Sequence, residues 1–371
     1  MTADGWIRQV SPMLGEEEAA AAQRVVASGW ITEGPEAAAF VEELKSLVGA
    51  AYGVLAPNGT LALALGLMAL GVGVGDEVLI PDITFIGSAT AVILSGARPV
   101  FVEVEPNAFQ IDLADAARRL TPATRAIMPV HLYGTACDMD EVADFAARHG
   151  LKVIEDAAQG VGVRYRDRHV GSLGDVGCFS FFADKTITTG EGGFVACSDA
   201  KVYERLRLLR NQGRMHSGTF IHPEVGYNLR MTDIQAAIGR VQLRKLDVIV
   251  ASKLALYAAY SEALTGIRTL RILSASANAS LVPFRCVVLA EDAEGLMRHL
   301  SASKVEPRGF FYPLHRQPAF GATADTSDAG FVNAVDGHRR GVCLPLHSAM
   351  TLADVGRIAA LVCEHQNRIS A

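Results

Sequence analysis

Two stretches near the middle of the chain decide the fold: residues 151–159 have the sequence LKVIEDAAQ, and residues 176–185 have the sequence VGCFSFFADK. Each is a short apolar run, rich in β-branched or aromatic residues, that ends in charged residues. This pattern is typical of a buried strand that runs into a polar loop. The two stretches therefore predict two strands of a sheet, each followed by a loop that carries ionisable side chains.

The same alternation extends in both directions from these strands. Further strands are predicted over residues 54–56, 78–80, 99–104, 125–130 and 193–197, and helices from residue 60 and over 88–94, 140–148 and 202–210. Strands that alternate with helices predict an α/β fold with a mostly parallel sheet flanked by helices on both faces. Because ligands of such sheets bind at the carboxyl ends of the strands, the loops after residues 56, 80, 130, 155 and 182 are candidate site loops.

The chain of 371 residues is longer than a single hydrophobic core usually grows, so two domains are expected. After Thr232 the pattern changes to a helical stretch that reaches about Leu264, then a strand over 281–289 and helices over 293–303 and 352–365. We predict a large ligand-binding domain over residues 1–245, with an N-terminal arm over 1–30, and a smaller α+β C-terminal domain over 246–371.

Composition excludes several classes of protein. Half of the residues are hydrophobic and 20% are charged, as in a packed soluble protein. A net charge of -6 argues against a nucleic-acid partner, which needs an excess of Lys and Arg. The most apolar window, residues 61–74, is shorter than the roughly 20 residues of a membrane span. The six cysteines form no Cys-x-x-Cys pair, and the amino terminus lacks the basic region followed by an apolar run that is typical of a secretory signal, so a cytoplasmic location is expected.

Three features at predicted strand ends carry the chemistry. Asp156 follows a buried strand, where an acid is costly unless it is paired. Lys185 follows an aromatic strand, where partial desolvation favours a nucleophilic amine. Asn58, Gly59 and Thr60 join a strand to a helix, whose N-terminus attracts phosphate. Taken alone, each has a simpler explanation: a helix cap, a surface lysine, or one of the many strand-to-helix turns that bind nothing.

Together the three features meet the needs of pyridoxal 5'-phosphate. That cofactor requires an amine to form an imine, a carboxylate to keep its pyridine nitrogen protonated, and a cradle for its phosphate. The combination is much more specific than any of its parts, and it predicts a pyridoxal-phosphate enzyme.

Several motifs also resemble one known family. In chain order they are residues 29–35, 81–85, 129–134, 155–159, 179–193 and 226–231. These stretches resemble the DegT/DnrJ/EryC1/StrS sugar aminotransferases, which have the pyridoxal-phosphate fold type I, and the resemblance runs from about Gly29 to His347. Residues 185–193 and 311–315 are most similar to the GDP-perosamine synthases of that family. The large domain would then hold the cofactor.

The resemblance implies a role for each matched residue. Lys185 would anchor the cofactor covalently and move a proton during the exchange, and Asp156 would pair with the pyridinium nitrogen. The other residues expected to bind the cofactor are Gly59, Thr60 and Ser180 at the phosphate, Phe85 on the ring face, Gln159 at the phenolic oxygen, and Asn228 from the neighbouring subunit. The residues expected on the substrate side are Trp30, Thr32, Arg230, Tyr312 and His315.

The resemblance further implies a reaction and its partners. L-Glutamate would give its amino group and leave as 2-oxoglutarate, and a nucleotide-linked keto sugar would receive it. GDP-4-keto-6-deoxymannose, which would become GDP-perosamine, is the expected acceptor. A dTDP- or UDP-linked 3- or 4-keto sugar and an oxidised octulosonate-type sugar are the alternatives. A homodimer with shared active sites is expected, because Asn228 would complete the neighbouring site.

This sequence departs from the family pattern at Glu103, Gly160 and Asp184. Only Asp184, where Asn or Thr is commoner, lies beside the predicted anchor. Its carboxylate would either hold Lys185 protonated for longer or point to solvent, and we expect it to point to solvent.

Other function classes fit less well. Gly71, Gly73 and Gly75 precede a strand, whereas a dinucleotide fingerprint lies between a strand and a helix. The ten histidines show no metal-ligand spacing, so no metal site is predicted. Within the family, a sugar dehydratase would have His in place of Lys185, and a non-catalytic cofactor-bound sensor would have lost Lys185 or Asp156.

Overall fold

The computed structural model describes residues 5–214, 218, 220–321 and 327–370. In this part of the chain the strands are β1 (Tyr52–Ala56), β2 (Glu77–Pro81), β3 (Arg98–Val102), β4 (Thr124–Ile127), β5 (Lys152–Asp156), β6 (Arg164–Tyr165), β7 (Arg168–His169), β8 (Val176–Ser180), β9 (Gly193–Cys197), β10 (Leu270–Ile272), β11 (Cys286–Ala290), β12 (Arg308–Gly309) and β13 (Gly341–Leu344). The helices are α1 (Glu16–Ser28), α2 (Pro35–Val48), α3 (Gly59–Ala69), α4 (Gly87–Leu94), α5 (Leu113–Arg118), α6 (Met139–His149), α7 (Ala200–Arg210), α8 (Asp233–Arg244), α9 (Leu246–Ala263), α10 (Ala293–Ala302), α11 (Val332–Arg340) and α12 (Leu352–Ser370).

A seven-stranded sheet forms the larger layer of the molecule, in the order β1-β9-β8-β5-β4-β2-β3. The pairs from β8 to β3 are parallel, whereas β9 runs antiparallel to both β1 and β8. The predicted α/β fold class with a mostly parallel sheet is confirmed. Because β9 is antiparallel to both of its neighbours, β1 runs in the same direction as β8. The carboxyl ends of β1, β2, β5 and β8 therefore lie at the same edge of the sheet.

Helices cover both faces of this sheet, and the side chains of β5 point alternately to one face and to the other. Ile154 packs into the core on the face covered by α3 and α4, whereas Val153 packs into the core on the face covered by α2 and α6. Successive side chains of a strand point to opposite faces. Asp156 therefore lies on the face of Ile154 and Glu155 on the face of Val153.

Helix α3 begins at the edge of the sheet where the strand ends meet. Asn58 caps it, because its side-chain oxygen accepts a hydrogen bond of 2.9 Å from the Leu61 amide. Most of the helix is buried, as its almost wholly apolar sequence requires. The cap fixes the start of the helix, and with it the position of Gly59 and Thr60.

A second, four-stranded antiparallel sheet, in the order β10-β11-β13-β12, lies in the C-terminal part of the chain. The predicted strand over residues 281–289 begins only at Cys286. The preceding backbone bonds to a loop instead, since the amides of Val282 and Phe284 donate to the carbonyls of Gly134 and Tyr133. The predicted helical stretch to Leu264 consists of α8 and α9, which meet at Lys245. The domain boundary after residue 245 stays a prediction.

Within residues 5–214, 218, 220–321 and 327–370, no helix has the length and apolar character needed to cross a membrane.

Candidate active site

A cavity of about 630 Å³ lies at the carboxyl ends of β1, β2, β5 and β8. This volume is within the range of small-molecule and cofactor sites. Of the residues predicted from the sequence, those that line it are Gly59, Thr60, Phe85, Asp156, Gln159, Ser180 and Lys185. The second sheet and its flanking loops close the other side with Phe284, Arg285, Arg308, Phe311 and Cys343.

Lys185 lies in the turn after β8, where its amide donates to the carbonyl of Phe182 at 2.9 Å. Its side chain is 14% exposed, and its Nζ lies 4.6 Å from the ring centre of Phe284. Burial lowers the pKa of Lys185, and the nearby carboxylates of Asp184 and Asp156 offset only part of that effect. A lowered pKa increases the neutral fraction of the amine, which is the form that attacks a carbonyl.

Asp156 is buried at the end of β5 and is held by neutral donors. Its carboxylate accepts hydrogen bonds from the Ser88 hydroxyl at 2.7 Å and from the Ala158 amide at 3.1 Å. Burial raises the pKa of Asp156, and these bonds compensate only in part. Ser88 in turn lies 3.0 Å from the Thr84 hydroxyl, so a short chain of hydroxyls orients the carboxylate.

Sequence reasoning missed Ser88. A hydroxyl in the first turn of a helix is too common to stand out, and only the position of α4 beside β5 brings it to Asp156.

The start of α3 forms a cradle against the end of β8. A Cβ atom on Gly59 would lie 2.7 Å from the Cβ of Ser180, so only glycine fits there. With the Leu61 amide bonded to the Asn58 side chain, the amides of Gly59 and Thr60 remain available at the positive end of the helix. Such a helix start binds phosphate.

Gln159 and Phe85 line two further sides of the cavity. The side-chain oxygen of Gln159 accepts a hydrogen bond of 2.6 Å from the amide of Tyr133, which has a positive φ of 54°. The ring of Phe85 is 60% exposed at the cavity, and its centre lies 6.4 Å from that of Phe311. An exposed aromatic face beside a cavity suits a planar ligand.

The expectation that Asp184 points to solvent is wrong. Its side chain is 14% exposed and lines the cavity, and its Oδ2 accepts a hydrogen bond of 2.7 Å from Arg285. The other oxygen, Oδ1, lies 3.7 Å from Lys185 Nζ. Arg285, buried just before β11, draws the carboxylate inward, because a buried guanidinium needs an anion.

The remaining predicted residues do not line the cavity of the single chain. Trp30, Thr32, Asn228 and Arg230 are exposed, and the last two bond to each other at 3.0 Å. Tyr312 is 42% exposed and packs edge-on against His338. His315 is fully buried between Asp82 at 2.6 Å and Asp328 at 3.1 Å. The roles assigned to these six residues stay predictions.

The arrangement of the cavity residues fits pyridoxal phosphate. Lys185 offers a desolvated amine, Asp156 a buried carboxylate, and the cradle at Gly59 donors for a phosphate. Among the described residues, no group of three or more His, Cys, Asp or Glu has the geometry of a metal site.

Comparison with known proteins agrees with this chemistry. The model of the DegT/DnrJ/EryC1/StrS aminotransferase family matches residues 12–363. The GDP-perosamine synthase of Caulobacter vibrioides is 40% identical to this chain over 329 residues, covering 86% of this chain and 87% of that protein. The GDP-perosamine synthase of Vibrio cholerae is 35% identical and covers 86% and 88%. The solved structure of DesV from S. venezuelae has a TM-score of 0.91 and 35% identity, and the match covers 94% of each chain.

Proposed function

This chain belongs to the DegT/DnrJ/EryC1/StrS aminotransferase family, and we propose that it transfers the amino group of L-glutamate to GDP-4-keto-6-deoxymannose, which gives GDP-perosamine. It is a sugar aminotransferase that depends on pyridoxal phosphate. The observation that carries the proposal is the meeting of Lys185, Asp156 and the Gly59 cradle in one cavity. The choice of acceptor is supported by the identity of this chain to two GDP-perosamine synthases.

When bound, the cofactor supplies a carbonyl group that accepts the amine and a ring that withdraws electrons from the reacting carbon. Lys185 would hold the cofactor covalently and, once released, take up and return a proton at Nζ. Asp156, oriented by Ser88, would keep the ring nitrogen protonated.

The other lining residues would bind and orient the cofactor. The Gly59 and Thr60 amides and the Ser180 hydroxyl would hold its phosphate, as free helix-start donors do. Phe85 would cover the ring face, and Gln159, fixed by the Tyr133 amide, would lie near the phenolic oxygen. Trp30, Thr32, Arg230, Tyr312 and His315 are proposed to contact the sugar or the amino donor.

A panel of acceptors tests the substrate. The holoenzyme would be supplied with glutamate and, separately, with GDP-4-keto-6-deoxymannose, dTDP- and UDP-linked 3- and 4-keto sugars, and an oxidised octulosonate. We expect the GDP sugar to give the highest kcat/KM, measured as 2-oxoglutarate release and as the mass of the aminated product. A higher value for any other acceptor would overturn the substrate assignment while leaving the aminotransferase intact. A product that has lost one oxygen atom without gaining nitrogen would indicate a dehydratase.

The proposed homodimer with shared sites is tested by complementation. Asn228 of the partner subunit would contact the phosphate, so Asn228→Asp brings a like charge to that phosphate and should weaken cofactor binding strongly. Lys185→Ala removes the anchor from the chain's own site. In a mixed dimer one site collects both defects and the other neither. With random pairing about a quarter of all sites become wild type, so two inactive variants refolded together should regain about that fraction of activity. Mixed dimers without any activity would contradict the shared site.

A further inference from the structure

Three basic side chains and one carboxylate meet behind the larger cavity. Lys253 on α9 and Arg285 are 4% and 7% exposed, and with Lys185 they surround the ring of Phe284 at 5.9, 4.6 and 4.6 Å from its centre. Together with Asp184 they line a smaller cavity of about 30 Å³. A buried excess of positive charge is costly, so the position of the one carboxylate among these basic side chains matters.

Arg285 holds that carboxylate in a fixed orientation. One guanidinium nitrogen donates to Asp184 Oδ2 at 2.7 Å, and another donates to the Gln9 carbonyl at 3.1 Å and to its side-chain oxygen at 3.2 Å. Gln9 is itself fully buried and donates to the Cys343 carbonyl at 2.8 Å. The guanidinium is therefore anchored on both sides, and Asp184 cannot rotate without losing its partner.

The second carboxylate oxygen of Asp184 faces Lys185 and accepts no hydrogen bond from the described residues. Among the described residues Asp184 Oδ1 is buried without a hydrogen-bond partner, 3.7 Å from Lys185 Nζ and just beyond hydrogen-bond distance. Buried acceptors in native proteins are nearly always satisfied, so an open one in a cavity calls for a partner. An ammonium group on Lys185 becomes that partner with a small movement of the lysine side chain.

We propose that Asp184, held by Arg285, is a positioning residue that receives the Lys185 ammonium whenever Lys185 is detached from the cofactor and carries a proton. The inference rests on the proposed role of Lys185 as anchor and proton carrier. When Nζ takes a proton, the new positive charge arises next to Asp184 Oδ1, and when Nζ returns the proton the charge disappears. Arg285 limits the strength of this contact, so that the proton can still leave.

The charged groups around Lys185 determine whether each substitution raises or lowers the pKa of its amine. Asp184 in the same turn and Asp156 on β5 favour the ammonium, whereas burial and Arg285 favour the neutral amine, and the pKa of Lys185 is lowered overall. Lys253 also favours the neutral amine, because it adds a positive charge nearby. Glu191 and Arg308, which line the cavity as well, act in opposite directions.

The test measures the protonation of Lys185 without any turnover. Cofactor-free protein is pulsed with acetic anhydride at a series of pH values, and acetylation of Lys185 is quantified by peptide mass spectrometry, with exposed Lys201 as the internal reference. Removing an opposite charge at this distance should move the midpoint of Lys185 labelling down by about one pH unit in Asp184→Asn. Arg285→Met should move it up, and the double variant should return it close to the wild-type value.

Arg285→Lys is the matched control, because it keeps the positive charge and should leave the midpoint near wild type. If Arg285→Met does not fold, the labelling midpoint of the isosteric Asp184→Asn variant alone tests the proposal. An unchanged midpoint in Asp184→Asn, with only a lowered melting temperature, would make the ion pair purely structural and overturn the proposal. An inactive holoenzyme with the predicted shifts would instead point to a fault in the proposed function.

A kinetic readout supplements the labelling. If Asp184 stabilises the ammonium, proton removal from glutamate becomes slower in Asp184→Asn, by about tenfold for the loss of one charge-assisted contact. The kinetic isotope effect with 2-deuterated glutamate should then rise while the affinity for the cofactor stays unchanged. An unaltered isotope effect combined with weaker cofactor binding would contradict a role in proton transfer.

Discussion

The end of β5 carries two consecutive buried carboxylates on opposite faces of the sheet, and their surroundings differ sharply. Glu155 accepts hydrogen bonds from His131 at 2.9 Å and from the amides of Gly171, Leu173 and Gly174, each at 2.6 Å. Asp156 faces the cavity with the Ser88 hydroxyl and one amide. The first carboxylate is saturated with donors, and the second is not.

The difference explains why the pKa values of the two acids are shifted in opposite directions. Burial alone would raise the pKa of Glu155, but His131 and the amides of Gly171 and Gly174 lower it below its usual value, whereas the pKa of Asp156 is raised by burial. A saturated carboxylate ties a loop to the sheet, and an unsaturated one beside a cavity can take another partner. We therefore expect substitutions of Glu155 to affect stability and substitutions of Asp156 to affect activity.

The largest effect is expected from Lys185→Ala, which removes the amine that lines the larger cavity. Turnover should fall by at least about a thousandfold, because no other lining residue is placed to hold the cofactor and carry the proton. The melting temperature of the cofactor-free protein should stay close to wild type, since the Lys185 side chain lines a cavity. Single-turnover measurements of 2-oxoglutarate release decide the matter, and more than a trace of activity would contradict the assignment.

Asp156→Asn should lower kcat by about a hundredfold or more without loss of stability. A neutral amide cannot keep the ring nitrogen protonated. Because the pKa of Asp156 is raised in the folded protein, the ionised side chain opposes folding at neutral pH, so its removal should not lower the melting temperature. A near-normal rate would leave Asp156 with a structural role only, through its hydrogen bonds to Ser88 and Ala158.

Glu155→Gln should lower the stability of the protein and leave its activity nearly unchanged. The amide group places an NH2 donor against two of the four donors that surround Glu155, and we expect a loss of about 2–4 kcal/mol in the free energy of unfolding with kcat little changed. The folded-state pKa of Glu155 is lowered, so its stabilising effect is present above about pH 4.5 and is lost as the pH falls through the folded value. Urea titrations at pH 7 and pH 4 should therefore show a smaller difference between variant and wild type at the lower pH. A variant as stable as wild type at pH 7 would refute the comparison.

Ser88→Ala should give the smallest effect. Loss of one hydroxyl donor to Asp156 costs about 1 kcal/mol, or a fivefold decrease in kcat, and the Ser88→Thr variant should recover most of it. Steady-state kinetics of the two variants separate orientation of Asp156 from simple packing, because threonine keeps the hydroxyl and alanine does not. Equal rates for alanine and threonine would remove Ser88 from the site.

Local sequence patterns predicted the parts of this site that lie at strand ends. Asp156, Lys185 and Gly59 each follow an apolar run, so their convergence follows from the direction of parallel strands. Contacts between distant segments carry no such pattern. Arg285 is 101 residues from Asp184, and no local feature of either residue indicates that they pair.

The same distinction holds for the fold. The alternation of strands and helices between residues 52 and 197 was visible because each element has its own period of apolar residues. The segment before Cys286 has a strand-like composition, yet its backbone bonds to the loop at Tyr133 and Gly134. Tertiary contacts overrode the local preference there.

The measurement that tests the central claim most directly is the identity of the lysine that binds the cofactor. Two lysines of the described residues compete for this role: Lys185, which lines the larger cavity, and the buried Lys253, whose pKa is lowered to about 7, chiefly by burial and then by Arg285. The holoenzyme is reduced with borohydride, digested, and analysed by peptide mass spectrometry. We predict that the phosphopyridoxyl group is found on Lys185 and not on Lys253. A label on Lys253, or no labelled peptide from protein loaded with the cofactor, would contradict the account.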